Sequence, residues 1–265
     1  MISKIYPIAG DASYRKFYRF ESKNKKKIIV ISKKEKYKNL VAYSSVNKFL
    51  IKKKILAPRL YNYNIKKGFI EIEDFGNITF LKILLKKKNK FLVYKKLVDL
   101  LIKIQKIKVQ SDLPSIINKT HKLKKYSTKI LHEESDLFFE WYLPFFFNKR
   151  KTGQIKKSVR TILIKLYNSL NFSNNCFVHR DFHAENLMKV KKKIGVIDSQ
   201  DALIGNYAYD LVSLVDDVRI STSKKLREKI CKYYLKKTKK ILKIEEKIFL
   251  RDFNILSIQR NLKIL

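Results

Sequence analysis

The run FVHRDFHAENLM, Phe177 to Met188, brings His179, Asp181, His183 and Glu185 within seven residues of chain. Side chains of these types bind metals, activate nucleophiles or handle phosphate, so spacing and context have to decide. Two histidines four apart suit zinc when a helix carries them as HExxH. Here apolar, strand-like residues precede the cluster and the short strand pattern NLMKV follows it, so the segment reads as a loop and zinc is disfavoured. A serine nucleophile would need a G-x-S-x-G elbow, which the sequence lacks. Cys176 and Cys231 show neither CxxC nor metal-ligand spacing.

Phosphoryl transfer fits the spacing better. His179-x-Asp181-x4-Asn186 has the order of a kinase catalytic loop, in which the Asp orients and deprotonates a hydroxyl and the Asn holds a metal ion. Such chemistry needs a second acid on a neighbouring strand to place Mg²⁺ between phosphates. Asp198, ending the strand pattern IGVIDS after the basic turn KVKKK, supplies it. The DFG at Asp74 to Gly76 precedes the loop instead of following it, so it is read as a connector whose backbone lies along adenine, with Glu73 taken as a nucleotide contact. A plain surface turn is the alternative.

The elements that must position these groups fall into two kinds. Up to about Ile72 the chain reads as strands and turns: alternation from Tyr14 to Phe20, the β-branched run KKIIVIS, a helix with Leu40, Tyr43, Val46 and Phe49 on one face, and a strand in GFIEIEDFG. From Ile78 onward helices dominate, near 92–107, 123–143, 156–170, 207–218, 224–240 and 245–262. Strands flank the loop at CFVH, NLMKV and IGVIDS. The expected organisation is α+β, with a small β-rich lobe over 1–73 and a larger, mostly helical lobe over 74–265 that carries the catalytic loop. The last helical pattern, QRNLKIL, ends without a stop signal, which suggests that the chain is clipped there.

Composition supports a folded protein: 45% of residues are hydrophobic and 12% aromatic. The formal charge of +38 invites a nucleic-acid reading. Lysine far outnumbers arginine, however, and is scattered over what read as solvated faces, so non-specific polyanion attraction is expected as a side effect only. No apolar run approaches the length of a membrane span, and WYLPFFF is short and holds Pro144. A cytoplasmic protein is the default expectation.

HRDFHAEN followed by IGVIDSQDALIGNYAYDLVSL resembles the aminoglycoside phosphotransferase/choline kinase-type family. AGDASYRKFYRF and DSQDA are more specific and look like the branch of bacterial N-acetylmuramate/N-acetylglucosamine anomeric kinases of cell-wall recycling. The resemblance covers most of the chain. It implies a two-lobed protein-kinase-like fold that uses ATP and Mg²⁺ to phosphorylate the anomeric hydroxyl of an amino sugar. Carried over by position, Asp181 is the base, Asn186 and Asp198 are Mg²⁺ ligands, and His179 holds the loop. Gly10, Asp11, Ala12 and Ser13 form a turn over the triphosphate, a mere hairpin turn being the alternative. Asp210 caps or braces the loop, and Gln200 and Asp201 support it from behind.

The chain also departs from kinase patterns. The strand IIVIS ends in Ser32 where a phosphate-binding Lys stands in kinases, and no acid occurs between Glu35 and Glu71 to pair with one. Arg15, Lys16 and Lys33 are the candidates for that cation. His183 stands where protein kinases carry a loop lysine, and no long activation segment follows Asp198, which points to a small acceptor rather than a protein. In LHEESDLFFEWYLP, Glu134 or Glu140 is a candidate to meet sugar hydroxyls and Trp141 to stack on a ring. For Glu133, Glu134 and Asp136 a solvated helix face is the competing reading, and for Trp141 and the Phe residues ordinary core packing is the first expectation. Choline, an aminoglycoside or another alcohol is the alternative acceptor, and a lapsed kinase scaffold that binds polyanions is the alternative to an enzyme.

Overall fold

The computed structural model describes residues 4–8, 15–23, 25–32, 38–117, 120–172 and 176–264. Compact packing groups the chain into two units, one of Met1–Lys86, Gln110–Leu123 and Ala184–Ala202, the other of Lys87–Val109, Lys124–His183 and Leu203–Leu265. The first unit therefore takes in 74–86, 110–123 and 184–202 in addition to residues 1–73.

In the first unit, strands β1 (Lys4–Ile8), β2 (Arg15–Ser22), β3 (Lys25–Ser32), β4 (Leu60–Asn64) and β5 (Phe69–Glu73) form one antiparallel sheet in the order β1-β2-β3-β5-β4. Alternate residues of a strand face opposite sides, so β-branched pairs line up on one face. Ile28 lies opposite Ile72 and Val30 opposite Ile70. All four are buried with Leu40 and Tyr43 of helix α1 (Lys38–Lys52), and Phe17 packs beside them. Each fully buried aliphatic contributes about 1.5–3 kcal/mol of hydrophobic stabilisation, which fixes α1 to this face of the sheet. Gly68 has φ +71, and a Cβ there would meet the Ser32 carbonyl oxygen at 2.4 Å. That close approach lets Ser32 N–H donate to the Gly68 carbonyl across 2.8 Å and terminates β3.

Helix α2 (Phe80–Lys86) follows the sheet, and a small hairpin, β6 (Asp112–Pro114) with β7 (Thr120–Lys122), packs on α1. The hairpin β9 (Leu187–Val190) with β10 (Lys193–Val196) joins the same unit. Val196 N–H donates to the Leu56 carbonyl and Lys189 N–H to the Ile78 carbonyl, each at 2.8 Å. Gly195 makes this docking possible, because a Cβ there would lie 2.6 Å from the Phe75 ring.

The second unit is mostly helical. It comprises α3 (Lys90–Gln105), α4 (Thr128–Leu137) running into a π-helical turn (Phe138–Tyr142), and α5 (Lys149–Asn168). The strand pair β8 (Cys176–Val178) with β11 (Leu203–Gly205) follows, then α6 (Ala208–Val215), α7 (Lys224–Thr238) and α8 (Glu246–Ile264). Every residue of α6 is buried, and α6 and α4 both pack on α8. Tyr234 ties α7 to α3 by donating to Gln105 at 2.6 Å, while its ring stacks on Phe249 of α8. Among the described residues no helix is long and apolar enough to cross a membrane.

Candidate active site

The catalytic loop is built from the second unit outward. Strand β8, buried at all three positions, leads into His179, which is itself fully buried and meets Phe182 edge-on. The backbone N–H groups of His179 and Arg180 both donate to the Asp210 carboxylate of α6, at 2.7 and 3.0 Å. Arg180 takes a left-handed φ of 72°, a conformation that costs an L residue energy and persists where the surroundings hold it. Two bonds from one buried carboxylate provide that hold, and they set the direction in which Asp181 leaves the chain. Burial pushes the Asp210 carboxyl up to about 7, although the same two N–H groups favour its charged form.

Asp181 reaches solvent in part, with its side chain 26% exposed. Arg260 and Lys263 of α8 lie 3.5 and 3.7 Å from its Oδ1. Burial works against its charge, but these two cations outweigh it and hold Asp181 well below the usual carboxylate range. Arg260 also donates to the Arg180 carbonyl at 2.9 Å. His183 is buried, and burial together with Arg219 and Arg260 pushes its imidazole down to about 4, so it stands neutral where protein kinases carry a lysine.

Glu134 does not face an acceptor. It is buried and paired with Arg180, and it accepts from Tyr126 and Gln259 at 2.7 Å each, with Lys263 at 3.6 Å. Burial opposes its charge, but Lys263 and Arg180 draw its pKa below the ordinary value. Its oxygens are engaged by the protein, so it acts as a keystone of the loop rather than a sugar contact. Trp141 reverses the expectation of core packing: it is 70% exposed, and Phe145 is 84% exposed. Trp141 lies on the π-helical turn, where the wider turn places it off the packed face while Phe139 and Leu143 stay inside.

The first unit holds a cavity of about 770 Å³. Its apolar wall comes from Ile8, Phe17, Ile28, Ile72, Met188 and Ile197, and Asn186 and Asp198 also line it. The β9–β10 hairpin brings these last two together. Asn186 ends a 3₁₀ turn before β9, Asp198 follows β10 by two residues, and Ile197 N–H donates to the Asn186 carbonyl at 3.0 Å. Asp198 takes φ 62°, a left-handed conformation that Asp tolerates better than most residues. Helix α1 supports the turn: Ser199 donates to Asn47 at 2.7 Å, and Asn47 in turn donates to the Pro58 carbonyl at 3.2 Å.

The sheet sorts the candidate cations by parity. Arg15, Phe17 and Arg19 of β2 line the cavity, whereas Lys16 is exposed on the opposite face and drops out. Lys33 and the turn Gly10, Asp11, Ala12 and Ser13 lie outside the described residues. Arg15 Nη2 donates to Asp198 at 2.8 Å and its Nη1 to Gln200 at 2.7 Å. Arg19, buried, is tied to Asp74, Asn77 and the Gly76 carbonyl. Asp74 is thereby engaged as the clasp of a connector and is not a metal ligand. Glu73 lines the cavity at that connector, and its own carboxylate lies 3.8 Å from Arg59. Among the described residues, no group of three or more His, Cys, Asp or Glu side chains is placed to hold a metal ion.

Residues 4–243 match the profile of the family described as the phosphotransferase enzyme family, APH. The chain belongs to that family. The N-acetylmuramate/N-acetylglucosamine kinase of Pseudomonas aeruginosa is 26% identical over 266 aligned residues, covering 99% of this chain and 75% of the relative. The like-named kinase of Neisseria meningitidis is 26% identical over 263, covering 97% and 75%. Among solved structures, an ADP-bound aminoglycoside phosphotransferase superposes with a TM-score of 0.64 at 13% identity, over 99% of this chain and 95% of that one. The choline kinase of Streptococcus pneumoniae gives 0.62 at 15%, over 97% and 85%. At such identities the two structures speak for the fold alone. The protein is thus a phosphotransferase with the kinase-like architecture that the sequence led one to expect.

Proposed function

We propose that this phosphotransferase moves the terminal phosphoryl group of ATP to the anomeric hydroxyl of N-acetylmuramate or N-acetylglucosamine. The observation that carries the reading is Asp181: braced through Asp210, kept ionised by Arg260 and Lys263, and partly open to solvent while His179, Phe182 and His183 beside it are buried. An ionised carboxylate on a rigid loop orients a hydroxyl and accepts its proton late, which is what a loose phosphoryl-transfer transition state asks of it. A strong base is not required, so the low proton affinity of Asp181 is no handicap. The cations at its side repel a polycationic aminoglycoside and accommodate a neutral or carboxylate-bearing sugar.

The cavity is of the size that takes a cofactor. The oxygens of Asn186 and Asp198 are hard donors of the kind Mg²⁺ prefers. Bound there, Mg-ATP would supply the phosphoryl group, and the ion would neutralise charge as the transfer proceeds. Asn186 and Asp198 would hold the metal, the connector from Glu73 to Gly76 would border the adenine, and the Gly10 to Ser13 turn would cover the phosphates. The names of the 26%-identical relatives support the choice of sugar. Incubation with Mg-ATP and each sugar, followed by ³¹P NMR, should show an acid-labile sugar 1-phosphate. Turnover of neither sugar, with choline or another alcohol phosphorylated instead, would replace the acceptor.

A further inference from the structure

We infer that Arg15 is the phosphate-binding cation of this enzyme, displaced by one strand from the usual position, and that Asp198 competes with nucleotide for it. The inference rests on the nucleotide half of the proposal above. Ser32 ends β3 where a lysine would be expected, and the residue directly across the ladder from Ser32 is Arg15 of β2. A cation lost from one strand is therefore present on its hydrogen-bonded neighbour, on the face that lines the cavity.

Three basic side chains line that cavity among the described residues: Arg15, Arg19 and Lys82. Arg19 is consumed by the connector through Asp74, Asn77 and Gly76. Lys82 donates to the Asn77 carbonyl at 3.0 Å, beside the same connector. Arg15 is the one whose guanidinium reaches the turn of Asp198 and Gln200. The acid that would brace a strand lysine is missing from α1, and Arg15 is braced by the metal-site Asp itself. Tyr43 of α1 stands by both: burial raises its pKa, and Asn47, Asp198 and Arg15 are the groups that act on it.

This wiring has a consequence that a Lys–Glu pair lacks. A guanidinium shared between Asp198 and a phosphate must loosen one partner to serve the other. A divalent ion on Asp198 favours the phosphate side, because it supplies the positive charge Arg15 gives up. Nucleotide without metal has to displace Asp198 unaided.

The test is calorimetric titration of ATP, with EDTA and then with Mg²⁺, into the wild type and Arg15→Met, Arg15→Lys, Lys16→Met, Asp198→Asn and the Arg15→Met/Asp198→Asn pair, each checked for an unchanged far-UV spectrum and melting curve. Arg15→Met should weaken metal-free binding about tenfold or more, as the loss of a charge-assisted contact does. Arg15→Lys should recover part of it, and Lys16→Met should stay within about twofold. Asp198→Asn should bind metal-free ATP several times more tightly than the wild type, and this gain should vanish in the double variant, the signature of direct coupling. Equal losses at Arg15 and Lys16, a gain that survives in the double variant, or a wild type that binds no ATP would overturn the inference. No sugar is present, so a wrong acceptor assignment leaves these outcomes untouched.

Discussion

Asp198 in the first unit and Asp181 in the second, the two carboxylates to which the proposed reaction gives roles, are held in different ways. Asp198 is one-third exposed and pairs with Arg15 at the wall of a cavity. Asp181 sits in a lattice of Arg180, Arg260, Lys263, Glu134 and Asp210, most of it buried. The proposed exchange of partners at Asp198 is served by a carboxylate that solvent reaches. A group that must keep one orientation is given a loop braced at both backbone N–H groups and cations that never leave it. The cost of removing a partner should differ accordingly, since an orphaned buried charge is far more expensive than an exposed one.

The sharpest break of this comparison is at the bond-making residue. Asp181→Asn should lower kcat about 10²–10⁴-fold, the usual worth of a positioned acid–base group, with ATP affinity held within about twofold. An unchanged turnover rate would remove Asp181 from the chemistry. Next in size is Glu134→Gln, which strips Arg180 of its main partner and leaves Tyr126, Gln259 and Lys263 facing a poorer acceptor. A loss of about 3–5 kcal/mol in denaturant unfolding is expected, as for any broken buried pair. Arg15→Met at the half-buried pair, whose Asp198 is one-third exposed, should cost less, about 1–3 kcal/mol. Equal losses at the two sites would show that the lattice and the single pair do not differ in kind.

The same contrast explains what could be read from the sequence. The strand KKIIVIS, the helix around Tyr43 and the helices near 92–107, 156–170 and 224–240 announced themselves by period and appear as β3, α1, α3, α5 and α7. The loop that carries His179 and Asp181 and the hairpin that carries Asn186 and Asp198 were legible as local elements because short runs of sequence form each of them. Arg15 was visible as one of three candidates, and strand parity alone would have removed Lys16. Arg260 and Lys263 gave no signal: they lie about eighty residues from Asp181 on a helix that reads as ordinary, and only tertiary packing of α8 on α6 brings them in. The engagement of Glu134 was hidden for the same reason. Trp141 misled because an apolar run carries no mark of the π-helical turn that turns it outward.

A finer test lies in pH. The folded state raises Asp210 to about 7, so between the ordinary carboxylate value near 4 and 7 the native protein binds more protons than the unfolded chain, and stability from this group is lost as pH rises. His183, lowered to about 4, acts in the opposite sense: its contribution is present above about 6.5 and is lost as pH falls towards 4. The two slopes oppose each other over most of that window. His183→Gln should therefore leave a stability that declines from pH 4.5 to 7, and Asp210→Asn one that rises, while the wild type is flatter than either. Urea midpoints at four pH values decide it; parallel profiles for all three proteins would show that neither group titrates in this range.

The smallest effect on the fold should come from the region that the lattice leaves bare. Trp141, 70% exposed on the π-helical turn, contributes little buried area, so Trp141→Ser should change stability by no more than about 0.5 kcal/mol. Core packing does not account for an exposed indole, so stacking on a sugar ring is the reading to test there. A ring stacked on a sugar is worth about 0.5–1.5 kcal/mol, so KM for the amino sugar should rise about three- to tenfold with kcat nearly unchanged. KM for ATP is the internal control, because a general loosening of the second unit would move turnover as well. If both KM values and kcat stay at wild-type levels, Trp141 has no part in binding, and the acceptor is held by the lattice around Asp181 alone.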